Sequence, residues 1–346
     1  MPAEAGQSGS PRAVPNRNGL GLMSNPPAGL TWPLIEEARE RIAGKVNLTP
    51  VLTSRTLDGL TGARLYFKCE TFQKGGAFKA RGATNAVFAL SESQARRGVA
   101  THSSGNHGAA LARAAALRGI RAHVVMPDNT SPAKRAAVSR YGAEITWCAA
   151  TQTARESTVR EVLAATGATL IHPYDDLLVM AGQATATVEL LHAVPELDVL
   201  LCPVGGGGLL SGSAVAARTL KPDIRVIGVE PAGADDAARS LRAGRIVPVE
   251  DPNTIADGLR ATIGARPFAE IRRLVEEIIT VTDDAIVRAM RQMWEVLKIV
   301  VEPSGAVPYA PLLDAPPALR SRRIGIIVSG GNLDLDHLPW RAAGSA

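Results

Sequence analysis

From about residue 60 onward the 346-residue chain alternates short β-rich runs with alanine-rich stretches of helical pattern. The candidate strands are ARLYFKCE, GVATHS, RAHVVMP, AEITWCA, ATLIHPY, DVLLCPV, IRVIGVE and RIGIIVS. Between them lie GAALARAAALRG, PAKRAAVSRYG, ESTVREVLAATG and SGSAVAARTLK. Continuous apolar strands joined by helices predict parallel sheet covered on both faces. So many units predict an α/β protein of two lobes, each an open, mostly parallel sheet flanked by helices. Ser131-Pro132 reads as a helix start. The segment TDDAIVRAMRQMWEVLK reads as a longer helix packed across the larger lobe, before the last strand. Residues 1–30, rich in Pro, Gly, Asn and Ser and without a signal peptide's apolar stretch, read as a disordered tail.

Composition removes several function classes. No apolar run approaches membrane-spanning length, so no membrane role is expected. The net charge of +5 comes from Lys and Arg spread along the chain, and aromatic residues make up only 4%. Nucleic-acid binding requires basic clusters and stacking rings, so a mildly basic enzyme of small anionic ligands is the better reading. Cys69, Cys148 and Cys202 sit in apolar runs with spacings that suit neither zinc nor disulfides. They read as buried reduced thiols of a cytoplasmic protein.

In open parallel sheets, ligands gather beyond the C-terminal ends of the strands. Four loops there carry chemistry. PVGGGGLLSG, residues 203–212, joins a strand to a helix, and its bare backbone N–H groups suit a phosphate. THSSGNHGAAL, residues 101–111, crowds Ser103, Ser104, Asn106 and His107 beside glycines. That loop is either helix-capping chemistry or a binder of a carboxylate or ring hydroxyl. VSGGN, residues 328–332, puts Ser329 at a strand end, where a heteroaromatic nitrogen could be met. In GVEPAGADD, residues 228–236, the acids either favour a helix start or form an oxygen-rich cation site.

A fifth feature gives these loops a common purpose. In GGAFKARGA, Lys79 has glycine, alanine and phenylalanine for neighbours and no adjacent carboxylate. Desolvation lowers a lysine's pKa and favours imine formation. A phosphate cradle together with such a lysine suggests a phosphorylated aldehyde, pyridoxal 5′-phosphate.

FKCETFQKGGAFKARGATNAV, SSGNHGAAL, PVGGGGLLSG and VSGGN, in this order, closely resemble the fold-type II pyridoxal-phosphate enzymes, in particular the serine/threonine dehydratase and serine racemase group. The resemblance runs from about residue 33 to 335. It implies that Lys79 forms the Schiff base and that Phe78 packs beneath the cofactor ring. Asn106 would bond the ring hydroxyl. Gly205, Gly206, Gly207, Gly208 and Leu209 would hold the phosphate, and Ser329 would meet the pyridine nitrogen. Ser103, Ser104 and His107 would bind the substrate carboxylate, with Ser104 as the second catalytic residue, exchanging the α-proton on the face opposite the lysine. Glu230, the Ala234 carbonyl and Asp236 would hold Mg²⁺ or Mn²⁺. A large lobe over 31–97 and 173–343, a small mobile lobe over 98–172 and a homodimer are implied as well.

Several positions depart from the family pattern. Gly75-Gly76-Ala77 replaces the usual Thr-Gly-Ser, Ala109 a frequent glutamine, and Ala261 the racemase's serine. Tyr174 matches the dehydratases rather than the racemase's asparagine. The expected activity is therefore β-elimination from L-threonine or L-serine, giving a 2-oxo acid and ammonia. Serine racemisation and dehydration of 3-hydroxyaspartate are the alternatives. A dinucleotide oxidoreductase is a remote one, since GGGGLLSG does not fit the G-x-G-x-x-G spacing and nothing in that reading needs Lys79. A non-catalytic carrier of pyridoxal phosphate would keep the cofactor's colour without turnover.

Overall fold

The central strands form because branched and apolar residues, packed from both sides, leave no solvent face. All six residues of Ala122–Pro127 and all five of Val199–Pro203 are buried. The computed structural model describes residues 29–340 apart from Ser104 and Ala315. Ten strands lie among them: β1 (Val51–Leu52), β2 (Arg64–Cys69), β3 (Val99–His102), β4 (Ala122–Pro127), β5 (Glu144–Cys148), β6 (Thr169–Leu170), β7 (Val199–Pro203), β8 (Arg225–Pro231), β9 (Glu277–Val281) and β10 (Arg323–Val328). They build a six-stranded sheet in the order β1-β2-β10-β7-β8-β9 and a four-stranded sheet in the order β5-β4-β3-β6. Every pairing is parallel except β1 with β2. The α/β class with helix-flanked parallel sheets is the one the alternating pattern predicts.

Differences from the sequence reading sit at sheet edges. β1 is two residues long and β9 is a half-buried edge strand behind Glu276 and Glu277, so neither shows a strong apolar run. ATLIHPY contributes only Thr169–Leu170, because the chain turns away before Pro173. Ser131 precedes a helix with proline in its first turn, but its hydroxyl makes no capping bond. TDDAIVRAMRQMWEVLK starts as the α-helix Asp283–Gln292 and then widens into a π-helical turn, Met293–Leu297. It stops at Lys298, whose φ is +59°. Its buried face, Ile286, Ala289, Met290 and Met293, packs on the six-stranded sheet as predicted. The tail expected over 1–30 falls outside the described residues but for its end, where Leu30 is already buried and its N–H donates to Glu270.

Two devices fix the helix Lys79–Phe88. It crosses the helix Leu177–Ala193 at glycines, and a Cβ on Gly182 would lie 2.5 Å from the Gly82 Cα. Beside that crossing, Arg81 is fully buried. Its guanidinium donates to Glu70 at 2.7 and 2.8 Å and to Glu189 at 2.6 and 2.7 Å, while Lys68 donates to Glu189 at 2.6 Å. Two cations meet two carboxylates, so no charge is left unbalanced. Such a cluster adds little net stability but makes loss of either partner costly.

Candidate active site

The loops after β3, β7 and β10 converge with the start of the helix Lys79–Phe88 on one cavity of about 580 Å³. Backbone bonds tie two of these pieces together. The Phe78 N–H donates to the Ser329 carbonyl at 3.0 Å, and the Gly331 N–H donates to the Gly76 carbonyl at 2.9 Å. Gly75 and Gly76, at φ +70° and +73°, let the chain make this bend, and Asn332 fills the space a side chain at Gly76 would need.

Lys79 opens its helix with the ammonium 2.7 Å from the Pro173 carbonyl and 5.1 Å from the centroid of the Phe78 ring. Protein surrounds the amine, although the residue is only half-buried because the cavity reaches it. Burial alone lowers its pKa from 10.5 to about 8. A neutral amine is therefore accessible near physiological pH, as a nucleophile or base requires.

Across the cavity, β7 delivers Gly205, Gly206, Gly207 and Gly208, all buried, to the start of the helix Gly208–Leu220. Crowding as well as flexibility demands glycine here. A Cβ on Gly205 would lie 2.8 Å from the Leu259 Cα, and one on Gly206 would lie 2.3 Å from the Tyr174 Cγ. Gly207 has φ +88°. Bare N–H groups at the positive end of a thirteen-residue helix make an anion cradle. Leu209, which follows, also lines the cavity.

The loop after β3 supplies the third wall. Gly105 occupies the cap position of the helix Asn106–Arg118 and makes no side-chain capping bond. Helix capping therefore does not use the amide of Asn106, which donates to Glu302 instead. The Ser103 hydroxyl accepts from the Gly105 N–H at 3.3 Å. His107 is buried, with Nε2 3.3 Å from the Ile171 carbonyl and Nδ1 without a partner. Burial, and then the Lys79 charge, hold this imidazole well below its ordinary pKa, so it is neutral. Ser104 lies outside the described residues. Ser329 is buried at the end of β10 and lines the same cavity.

A family model for pyridoxal-phosphate dependent enzymes matches residues 42–330. The chain belongs to that family. It is 50% identical over 303 residues to a β-hydroxyaspartate dehydratase of Paracoccus denitrificans, covering 88% of this chain and 96% of the relative. It is 50% identical over 313 residues to a serine racemase of Oryza sativa subsp. indica, covering 89% and 92%. The structure of maize serine racemase superposes with a TM-score of 0.87 at 48% identity, covering 89% of this chain and 95% of that one.

The residues present fit the family's cofactor. An amine without a carboxylate partner faces an anion cradle across a cavity walled by hydroxyl and amide groups. Six further polar residues of this cavity were not among the candidates named from sequence. Glu302 and Asn332 bond to Asn106, and Lys134 pairs with Asp257 across the mouth. Arg155 and Arg260 also line the cavity. Asn332 closes the motif VSGGN, whereas the sequence reading gave the other five no role.

The acidic loop after β8 stands apart from the cavity. Glu230 and Asp236 are both fully buried, and Ala234 lies in a 3₁₀ turn between them. The Glu230 carboxylate accepts from the Ala238 and Ala237 N–H groups at 2.7 and 3.3 Å. Asp236 Oδ2 accepts from the Ile263 N–H at 2.8 Å, while Oδ1 has no partner. Burial raises Glu230 to about 8 and Asp236 to about 6. The nearby Arg239 pairs with Asp235 instead. An orphaned carboxylate oxygen beside a second buried carboxylate fits a hard divalent cation, although the described residues contain no cluster of three or more ligating side chains. The three cysteines are buried and free; burial pushes the Cys69 thiol up to about 12, so it is unreactive.

Proposed function

We propose that this enzyme is an ammonia-lyase for 3-hydroxy amino acids whose preferred substrate carries a second carboxylate, as 3-hydroxyaspartate does, with serine racemisation and dehydration as lesser activities. One observation carries the preference. Among the described residues four cations line the cavity. Lys79 is the reactive amine, Lys134 pairs with Asp257, and Arg260 donates to the Thr254 carbonyl. Arg155 remains, its Nε buried without a partner. A guanidinium with an unused buried donor suits a carboxylate. Neither L-serine nor L-threonine has one at Cβ, so these substrates, the first expectation from the motifs, take second place. The dehydratase relative supports the same order.

Bound pyridoxal phosphate supplies the electron sink that makes the substrate's α-proton labile. The chain supplies the rest. Gly205, Gly206, Gly207, Gly208 and Leu209 hold the phosphate, Phe78 lies against the ring, and Ser329 meets its nitrogen. Asn106 bonds the ring hydroxyl. Ser103, Ser104 and His107 hold the α-carboxylate and Arg155 the β-carboxylate. Lys79 anchors the cofactor and, once displaced, takes the α-proton at Nζ. The β-hydroxyl leaves as water, and hydrolysis gives a 2-oxo acid and ammonia. Ser104 delivers a proton to the opposite face in racemisation. Glu230, the Ala234 carbonyl and Asp236 hold Mg²⁺ or Mn²⁺. The lobe over 98–172 closes on substrate, and the enzyme works as a homodimer.

The test is a substrate panel read as 2-oxo acid, for wild type and Arg155→Met. Wild type should favour 3-hydroxyaspartate over L-serine, and the variant should lose about 10²-fold in kcat/KM on 3-hydroxyaspartate alone, as for a lost charge-assisted bond pair. An equal loss on both substrates would sink the assignment. Lys79→Ala should abolish turnover of either.

A further inference from the structure

The Asn106 amide is held from both ends. Its Nδ2 donates to the two Glu302 oxygens at 3.0 and 3.3 Å, and its Oδ1 accepts from Asn332 Nδ2 at 2.9 Å. The same Asn332 nitrogen donates to the Gly75 carbonyl at 2.6 Å. A backbone carbonyl cannot exchange roles with a donor, so Gly75 fixes the Asn332 amide, and Asn332 fixes the oxygen end of Asn106. When ionised, Glu302 fixes the nitrogen end, because a flipped amide would then set oxygen against oxygen.

Glu302 occupies a place made for it. It is 6% exposed and precedes the short helix Pro303–Ala306. A Cβ on Gly330 would stand 2.5 Å from its Oε1, so the glycine of the β10 loop clears its space. Among the described residues no cation pairs with it. The charged groups that face it are Asp257 and Lys134, which pair with each other. Burial, then the Asp257 charge, raises its pKa to about 8. An unpaired buried carboxyl is costly, and the proposed reaction gives it no task.

We propose that Glu302 is a positioning residue acting through Asn106: its carboxylate, with Asn332 on the other side, sets which end of the Asn106 amide faces the cofactor. This rests on the reading of the cavity as the pyridoxal-phosphate site. A primary amide nitrogen carries two hydrogens, and Glu302 needs only one. The other stays available to an acceptor in the cavity. The bond also spans the two sheets, since Asn106 follows β3, while Asn332 lies in the loop after β10 and the Glu302 N–H donates to the Gly330 carbonyl of that loop at 3.1 Å.

The test combines Glu302→Gln, Glu302→Ala, Asn106→Ala and the Glu302→Ala/Asn106→Ala pair. Pyridoxal phosphate is titrated into each apo-protein, and the visible band of each loaded protein is followed from pH 6 to 9. Glu302→Ala should weaken cofactor binding about tenfold. Asn106→Ala should do the same, and the double variant should be no worse than Asn106→Ala alone. Glu302→Gln keeps an acceptor for Asn106 and should bind within about threefold of wild type. It should nevertheless lose the pH dependence of the band, a change that a merely structural residue would not produce. Additive losses in the double variant would overturn the proposal. So would a Glu302→Gln band that titrates as wild type does, a result available even if the alanine variants fail to fold. A wild-type protein that develops no band would instead overturn the cofactor site itself.

Discussion

The ring of Tyr174 occupies the space that any side chain at position 206 would need: a Cβ on Gly206 would lie 2.3 Å from its Cγ. A residue just after β6 thus shapes a loop of the other sheet. Gly206→Ala should push the cradle off the phosphate and weaken cofactor binding by about tenfold to a hundredfold, the range expected for an overpacked site. Tyr174→Ala in the same chain should recover part of the loss, measured by titration of the apo-protein. Without recovery, the ring is not what forbids a side chain there.

The glycine crossing of Lys79–Phe88 over Leu177–Ala193 makes a prediction about stability. Gly182→Ala sets a methyl against the Gly82 backbone and should lower unfolding free energy by about 1–3 kcal/mol. Thermal unfolding of the apo-protein would show it. An unchanged midpoint would mean that the helices can part without cost.

Stability of the apo-protein should depend on pH with a minimum near 8. Burial raises Glu302 from 4.5 to about 8, so the folded state binds this proton more tightly than the unfolded chain does. The stabilisation is complete below about pH 4.5 and is lost as pH rises to 8. Lys79, lowered from 10.5 to about 8, acts in the opposite sense. Its contribution is complete above about pH 10.5 and is lost as pH falls through 8. Melting curves from pH 5 to 10.5 should therefore dip; Glu302→Gln should make the acid limb shallower, the remainder belonging to Glu230 and Asp236, and Lys79→Met should make the alkaline limb shallower.

Cation binding would change that profile at the second acidic pair. An ion favours ionised Glu230 and Asp236, so Mg²⁺ or Mn²⁺ should raise the melting temperature more at pH 8 than at pH 5.5. Glu230→Gln/Asp236→Asn should remove the response, and a chelator should abolish it in wild type. A response that survives the double variant would place the ion elsewhere.

The sequence alone determined the fold class and marked the loops that line the cavity. Apolar runs alternating with helical ones specify buried parallel strands, and glycines and polar residues directly after those runs mark the ligand end of a sheet. Lys79, the four glycines and Ser329 were legible because each is a local pattern: a charge or flexible backbone where neighbouring residues do not explain it. Tertiary structure decided what depends on partners far along the chain. Arg81 reads as an ordinary helix arginine until Glu70 and Glu189 are folded around it. Glu302 and Arg155 become site residues only because two sheets meet, placing one beside Asn106 and the other, unpaired, at the cavity. A residue's electrostatic worth is set by what surrounds it in space, and spacing along the chain does not carry that information.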